Sequence, residues 1–216
     1  MTINKYINNY LSDISNKKII ITGANSGLGF ECTKICASLG AKVVLACRSE
    51  ARAKDAIKAI LNENSNAKLE YVHFDQSTFE SCEKSINSIL EKHSDFYALF
   101  FNAGIFHPSD NELNPNGFPK TISTNAINID FMISKLDRFL SGVNDEKRII
   151  FQGSLAGRMS PKNKNIFDNN LSYFKQYCLS KFALASLFNN YVRNNTNPNV
   201  KYMMCEPGIT NSNIIR

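Results

Sequence analysis

The sequence lacks any apolar run close to the roughly 18 residues that a membrane-spanning helix needs, so it predicts no membrane span. It also lacks the continuous apolar stretch of a secretory signal. The start, residues 1–17, is polar and rich in Asn, and its apolar residues recur at helical spacing. We therefore predict a helical extension over residues 1–16 and a cytoplasmic protein.

The cysteine pattern lacks the spacings that metal sites require. None of the six cysteines belongs to a Cys-x-x-Cys pair, and none of the three histidines lies at zinc-ligand spacing from one. Cys32 and Cys36 are four residues apart and are expected on one helix face. The prediction is reduced, buried thiols and no metal site.

A concentrated basic patch is missing as well. The chain carries 25 Lys and Arg against 19 Asp and Glu, a formal charge of +6, but these residues are dispersed. Dispersed charge is typical of solvated helix faces and helps to attract a phosphate-rich small molecule. We therefore predict a small-molecule partner, with no nucleic acid. The densest basic group is Lys17, Lys18, Arg48, Arg52, Lys54 and Lys58.

Short apolar runs alternate with longer helical patterns along the 216 residues, a length that fits a single domain over residues 1–216. Several runs, such as 19–21 and 98–101, are apolar without alternation, which is typical of strands covered on both faces. The pattern predicts an α/β fold, a three-layer doubly wound parallel sheet (Rossmann fold) with strand order 3-2-1-4-5-6 and a ligand crevice at the carboxyl ends of the strands. The predicted strands are 18–22, 42–47, 68–74, 97–102, 148–153 and 200–205, and the predicted helices are 27–39, 50–62, 78–93, 118–140 and 173–194.

Two segments rich in Asn, Pro, Ser and Lys, 109–119 and 158–170, are predicted to be surface loops. Both are expected at the carboxyl-end crevice. They are candidate substrate loops, with ordinary solvated loops as the alternative.

A glycine-rich turn, Thr22-Gly23-Ala24-Asn25-Ser26-Gly27-Leu28-Gly29, follows the first predicted strand. Glycines omit Cβ atoms where backbone must approach a pyrophosphate, and the helix that follows offers unpaired N–H groups and a positive dipole end. The spacing differs from the commoner Gly-x-Gly-x-x-Gly, and a tight turn without ligand is the alternative. Its place between the first strand and the first helix favours dinucleotide binding.

Arg48 follows the second predicted strand, where dinucleotide-binding folds contact the adenosine ribose. An acidic residue there suits the 2′-hydroxyl of NAD, whereas an arginine suits the 2′-phosphate of NADP. Arg48 therefore favours NADP(H), and the nearby Glu50 keeps NAD(H) as the alternative. The alternative interpretation of Arg48 is an exposed arginine at a strand end that binds no cofactor.

Tyr177 and Lys181 are four residues apart on the last predicted helix and therefore share a face. A lysine cation about 4 Å from a phenol contributes roughly 4 kcal/mol at an effective dielectric of 20, enough to lower the tyrosine pKa by about three before desolvation. Such pairs also occur by chance. Here Ser154 ends the fifth predicted strand and Asn102-Ala103-Gly104 ends the fourth, so both would reach the same crevice.

Four features, in this order, resemble the short-chain dehydrogenase/reductase (SDR) family over residues 17–212: the glycine turn, Asn102-Ala103-Gly104, Ser154, and the pair Tyr177 and Lys181. The resemblance implies an NAD(P)-binding oxidoreductase that moves a hydride between nicotinamide and a carbonyl or alcohol. It implies that Tyr177 is the general acid or base, that Lys181 lowers its pKa and holds the nicotinamide ribose, and that Ser154 orients the substrate carbonyl. Asn125 matches the asparagine that holds a water in the family's proton relay.

The resemblance also implies cofactor contacts outside the glycine turn. Asp75, followed by Gln76, is similar to the adenine-contacting aspartate, and Pro207-Gly208 is similar to the Pro-Gly turn beside the nicotinamide, with Ser212 where threonine is common. The family's Ser-Ser is Gly153-Ser154 here. The implied cofactor-binding residues are Gly23, Asn25, Ser26, Gly27, Leu28, Gly29, Arg48, Asp75, Gln76, Asn102, Ala103, Gly104, Tyr177, Lys181, Pro207 and Gly208.

Ala-Cys-Arg at 46–48 and the long separation of Ser154 from Tyr177 most resemble the retinol dehydrogenase and protochlorophyllide reductase group, which implies a bulky or apolar substrate. The chain stops at Arg216, whereas family members continue through capping helices to a seventh strand, so either the sequence is a fragment or these parts are absent. Because they cover the substrate and contribute to dimers, a catalytically weak or inactive cofactor-binding regulatory or scaffold protein is the alternative function. A homo-oligomer remains open.

Overall fold

Among the residues that the computed structural model describes (13–106, 112–161, 165–168, 170–208 and 210), six strands form one sheet in the order β3-β2-β1-β4-β5-β6. Every pairing is parallel. The chain order reverses between β1 and β4, the point where such sheets open a ligand crevice. The predicted fold class and strand order are confirmed. The strands are β1 Lys18–Thr22, β2 Lys42–Cys47, β3 Lys68–His73, β4 Ala98–Phe101, β5 Lys147–Gln152 and β6 Val200–Cys205.

Helices cover both faces of the sheet. Their ends lie within about two residues of the predicted ones, and the main difference is that α4 is not a continuous α-helix. It begins with Lys120–Ile122, widens into a π-turn over Ser123–Ile127 and continues as an α-helix over Asn128–Ser141. The other helices are α1 Gly27–Ser38, α2 Glu50–Glu63, α3 Phe79–His93 and α5 Tyr173–Asn194.

Two apolar cores, one on each side of the sheet, explain why the strands are apolar without alternation. Ile20 and Leu99 point into the core under α3, α4 and α5, while Ile21 and Leu45 point into the core under α1 and α2. Neighbouring strand residues therefore bury on opposite faces. This burial fixes the register of the sheet and thereby the positions of the strand ends that build the site.

The other sequence expectations concern the N-terminal extension, the cysteines, membrane spans and metal sites. Of the predicted helical extension, residues 1–12 lie outside the described part of the chain, and Ser15 and Asn16 form a turn. All six cysteines are free, but the predicted burial holds only for Cys47, Cys82 and Cys178, because Cys32 and Cys36 are partly buried and Cys205 is exposed. Within the described ranges, no helix is long and apolar enough to cross a bilayer, and no group of three or more His, Cys, Asp or Glu could hold a metal ion.

Candidate functional site

A cavity of about 750 Å³ lies where the segments that follow β1, β4, β5 and β6 meet. Its volume is in the range of small-molecule and cofactor sites. The described residues that line it are Gly23, Ser26, Gly27, Leu28, Asn102, Ala103, Gly104, Phe106, Gln152, Gly153, Ser154, Leu155, Ala156, Met159, Phe174, Tyr177, Lys181, Pro207, Gly208 and Thr210.

The glycine turn forms one end of this cavity. Gly23 has a φ of +65°, a conformation that L side chains rarely adopt. Ser26 is the N-cap of α1 but makes no side-chain cap hydrogen bond, so its hydroxyl leaves the first N–H groups of the helix uncovered. Uncapped N–H groups at the positive end of a helix dipole suit a phosphate group. The turn therefore fits the pyrophosphate of a dinucleotide.

Gly29 lets α1 approach the ends of two strands closely. A Cβ atom on Gly29 would lie 2.5 Å from the Gly23 carbonyl oxygen and 2.5 Å from Nδ2 of Asn102. Nδ2 of Asn102 donates to the carbonyl oxygen of Thr22 at 2.8 Å, and the Ala103 N–H donates to Oγ1 of Thr22 at 2.9 Å. The predicted turn at 102–104 thus ties the end of β4 to the end of β1 while lining the cavity.

We expect Gly29→Ala to lower the free energy of unfolding by about 1–3 kcal/mol, because either the turn or the Asn102 side chain must move. The same displacement should weaken NADPH binding. Urea unfolding followed by circular dichroism measures the stability, since the chain contains no tryptophan. Gly142→Ala is the matched control, because its Cβ would meet nothing closer than 3.8 Å. Equal unfolding midpoints for the two variants would contradict the close-packing argument.

Three of the four predicted catalytic side chains, those of Ser154, Tyr177 and Lys181, line this cavity. Tyr177 and Lys181 lie on α5, and the Lys181 ammonium is 5.8 Å from the centre of the Tyr177 ring. Ser154, the N-cap of the short 3₁₀ helix Leu155–Met159, is hydrogen-bonded to the Tyr177 hydroxyl. Position 153, where the family has the first serine of Ser-Ser, has little room for a side chain. A Cβ atom on Gly153 would lie 3.1 Å from the Cys205 carbonyl oxygen.

The electrostatics of this group differ from the expectation of a lysine-lowered tyrosine pKa. Burial raises the pKa of Tyr177, and the hydrogen bond with Ser154 opposes that rise in part. Lys181 is 4% exposed, and burial lowers its pKa to about 8. Its ammonium donates to the Gln152 carbonyl oxygen at 2.9 Å. The expectation placed the cation about 4 Å from the phenol and left desolvation aside, whereas burial is the largest effect on the pKa of both groups.

Asn125 lies in the π-turn of α4 with both ends of its amide occupied. Oδ1 accepts from the Ile105 N–H at 2.8 Å, and Nδ2 donates to the Ile105 carbonyl oxygen at 2.8 Å and to Oγ of Ser180 at 3.1 Å. The side chain is 0% exposed. It therefore clamps the segment after β4, and the water-holding role that the resemblance implied stays a prediction.

Five predicted cofactor residues lie outside the described cavity lining: Asn25, Gly29, Arg48, Asp75 and Gln76. Arg48 is exposed beyond the end of β2, beside the glycine turn. The Asp75 carboxylate accepts from the Ser77 N–H at 3.0 Å. Gln76 is buried, and its Nε2 donates to the carbonyl oxygens of Ala103 and Thr124 at 2.9 and 3.2 Å. Gln76 thus supports the 102–104 turn from behind.

Sequence reasoning missed several residues that line the cavity. They are the apolar Phe106, Leu155, Met159 and Phe174, together with Thr210. Phe174 precedes Tyr177 by three residues on the same helix, a spacing that could have indicated it. Of the two candidate substrate loops, 109–119 and 158–170, Met159 is the one residue in the described cavity lining. The loops contact each other through the rings of Phe118 and Phe167, whose centres are 5.5 Å apart. Ser212 lies outside the described residues.

Comparison with known proteins gives one consistent family. The sequence pattern of the family described as short chain dehydrogenase matches residues 17–216. The chain is 32% identical to a short-chain dehydrogenase/reductase of Phomopsis amygdali over 188 residues, 83% of this chain and 56% of that protein. It is 26% identical to retinol dehydrogenase 14 of Mus musculus over 212 residues, 93% of this chain and 63% of that protein. The chain thus spans little more than half the length of such relatives.

Solved structures share the architecture. A short chain dehydrogenase/reductase from Burkholderia phymatum in complex with NAD superposes with a TM-score of 0.74 at 22% identity, over 94% of this chain and 69% of that one. A short chain dehydrogenase from Shigella flexneri complexed with NADP superposes with a TM-score of 0.70 at 22% identity, over 94% and 82%. At this identity, the likeness shows the fold alone.

Proposed function

Because this chain belongs to the short-chain dehydrogenase family, we propose that it is an NADP-dependent oxidoreductase acting on a carbonyl or alcohol. The observation that supports this most is that Tyr177, Ser154 and Lys181 line the same cavity as the glycine turn. One end of the cavity suits a pyrophosphate and the other offers hydroxyl groups to a substrate oxygen. We further propose that residues 1–216 form a single domain and that the protein is cytoplasmic, in keeping with its free thiols.

When bound, a nicotinamide dinucleotide supplies or accepts the hydride. The residues of the chain deal with the substrate oxygen and its proton. Ser154 and Tyr177 would hold the oxygen by their hydroxyl groups, and the raised pKa keeps the phenol protonated at neutral pH until the oxygen takes the proton. Lys181, whose pKa is about 8, keeps a positive charge close to the phenol below that pH. A positive charge there would stabilise the phenolate that forms when the proton leaves Tyr177.

The substrate that best suits this cavity is bulky or apolar. Phe106, Leu155, Met159 and Phe174 line it, and Met159 is 64% exposed. Within the described lining, Lys181 is the one charged side chain, and its ammonium is already bound to a carbonyl oxygen. A carboxylate or phosphate on the substrate would therefore lose its hydration without gaining a free cationic partner.

The preference for NADP is supported by the charges beside the glycine turn. Arg48 extends from the end of β2, next to the strand that leads into the turn. The acidic alternative, Glu50, is paired with Lys54, with 2.8 Å between Nζ and Oε1. A guanidinium suits a phosphate in bidentate geometry, so Arg48 is our proposed ligand for the 2′-phosphate.

The proposed function is tested by following NADPH and NADH absorbance with a panel of aldehydes, ketones and quinones. We expect faster oxidation of NADPH, and we expect Arg48→Asp to weaken NADPH binding by roughly 10- to 100-fold through loss of a charge-assisted hydrogen bond. Arg193→Asp, at an exposed arginine in the last turn of α5, is the control. NADPH binding without oxidation of any substrate would favour the regulatory alternative, and unchanged binding in Arg48→Asp would remove Arg48 from the site.

A further inference from the structure

The aromatic ring of Phe106 has a place in the site that the proposed reaction does not use. It meets the Tyr177 ring in an edge-to-face arrangement, with 5.1 Å between the centres and 74° between the planes, and the Tyr173 ring in the same way, at 5.5 Å and 84°. Tyr173 and Tyr177 are one helical turn apart on α5. Phe106 therefore packs against the side of α5 that carries the phenol, and edge-to-face contacts of this kind are directional.

We propose that Phe106 is a positioning residue that fixes the orientation of the Tyr177 ring. The inference rests on the proposed function in one respect, namely that the Tyr177 phenol is the proton donor. The ring of a tyrosine turns about two side-chain torsions, and a hydrogen bond at its tip leaves the ring plane free to rock about that point. Ser154 supplies the bond at the tip, and Phe106 supplies the contact that restrains the plane.

Phe106 can restrain another ring because its own backbone is held. The preceding residue, Ile105, exchanges two hydrogen bonds of 2.8 Å with the amide of Asn125. The same amide donates to Ser180 on α5, and Oγ of Ser180 donates to the Tyr177 carbonyl oxygen at 2.8 Å. The backbone that carries Phe106 and the backbone that carries Tyr177 are therefore tied to one buried side chain. This connection gives Asn125 a positioning role of its own.

A competing interpretation makes Phe106 only part of the apolar cavity wall. The two roles predict different kinetics. Loss of a wall residue raises KM for bulky substrates and leaves small ones unaffected, whereas loss of a positioning residue lowers kcat for every carbonyl. A misplacement near 1 Å can lower a rate by up to about 10²-fold.

The kinetic test compares Phe106→Leu, which keeps apolar volume without a ring, with Phe106→Tyr, which keeps the ring. We expect Phe106→Leu to lower kcat by about 10- to 100-fold with both a short aliphatic aldehyde and a bulky aromatic one, and Phe106→Tyr to retain most of the rate. Phe182→Leu is the control, because Phe182 lies on α5 outside the described cavity lining and is 52% exposed. A raised KM for the bulky aldehyde alone would overturn the proposal.

A second measurement needs neither cofactor nor turnover. Ring-labelled tyrosine gives NMR signals for the eight tyrosines, and the Tyr177 signal is identified by its loss in Tyr177→Phe. We expect the Tyr177 ring of Phe106→Leu to flip faster than in the wild type, with no such change in Phe182→Leu. An unchanged flip rate of the Tyr177 ring would overturn the inference even if the enzyme is active. If the Tyr177 ring flips faster in Phe106→Leu but the wild type reduces no carbonyl, the restraint by Phe106 is upheld and only the proposed function is contradicted.

Discussion

Tyr177→Phe is expected to lower kcat for carbonyl reduction by about 10²- to 10⁴-fold, the usual contribution of a positioned general acid. The variant keeps the ring, and with it the contact to Phe106, but loses the proton and the hydrogen bond to Ser154. The glycine turn is untouched, so NADPH binding should remain within about twofold of the wild type. The expected result is therefore binding without turnover.

The measurement pairs steady-state NADPH oxidation with titration of the nucleotide's own fluorescence. Tyr71→Phe is the matched control, because it also removes a tyrosine hydroxyl but lies on β3, outside the described lining of the cavity. Substantial turnover by Tyr177→Phe would refute the proton-donor assignment. Loss of NADPH binding in the same variant would instead indicate that the hydroxyl holds the cofactor.

Lys181→Met is expected to change activity and stability in opposite directions. Burial lowers the Lys181 pKa from its ordinary value of 10.5 to about 8, and each unit corresponds to about 1.4 kcal/mol, so keeping the buried cation at neutral pH costs about 3 kcal/mol. Within the described chain Lys181 forms no ion pair, and its bond to the Gln152 carbonyl offsets only part of that cost. We expect a gain in unfolding free energy of about 1–3 kcal/mol together with a turnover near zero.

The stability gain should depend on pH in a way that identifies its cause. The pKa is lower in the folded chain than in the unfolded one, so the wild type gains stability as the pH rises from about 8 to about 10.5. The advantage of Lys181→Met is therefore full below pH 8 and shrinks above it. Lys147→Met provides the contrast, because that buried ammonium has a carboxylate partner, Asp145, at 2.6 Å. Chemical unfolding of all three proteins across this range is the measurement, and a pH-independent gain would contradict the electrostatic cause.

The parts of the fold that were predictable are those encoded by local sequence. Unbroken apolar runs such as that of β1 mark strands buried on both faces, and the predicted limits of β1, β2 and β6 agree with the structure. The site followed from the same logic, because residues at the carboxyl ends of neighbouring parallel strands meet. The glycine turn, Ser154 and the pair Tyr177 and Lys181 all line one cavity as a result.

What could not be predicted depends on contacts between distant segments. The pairing of Asn125 with Ile105, and the ring contact of Phe106 with Tyr177, join residues far apart in the chain without a repeating pattern. The tyrosine pKa was misjudged for a related reason. Spacing along a helix shows which residues share a face, but it does not show how much water both groups lose when the chain folds.

The π-turn at Ser123–Ile127 also determines which residues of α4 face the reaction site and which face the hydrophobic core. An α-turn closes over 3.6 residues, and a π-turn takes up about one residue more, which offsets the residues on either side by about 100° relative to an unbroken helix. Asn125 can therefore face inward toward Ile105 while Met132 and Leu136 still point into the core. If one residue were removed from this stretch, the regular helix would recover, but only one of the two surfaces could keep its alignment. The π-turn thus allows one helix to align with both the hydrophobic core and the reaction site.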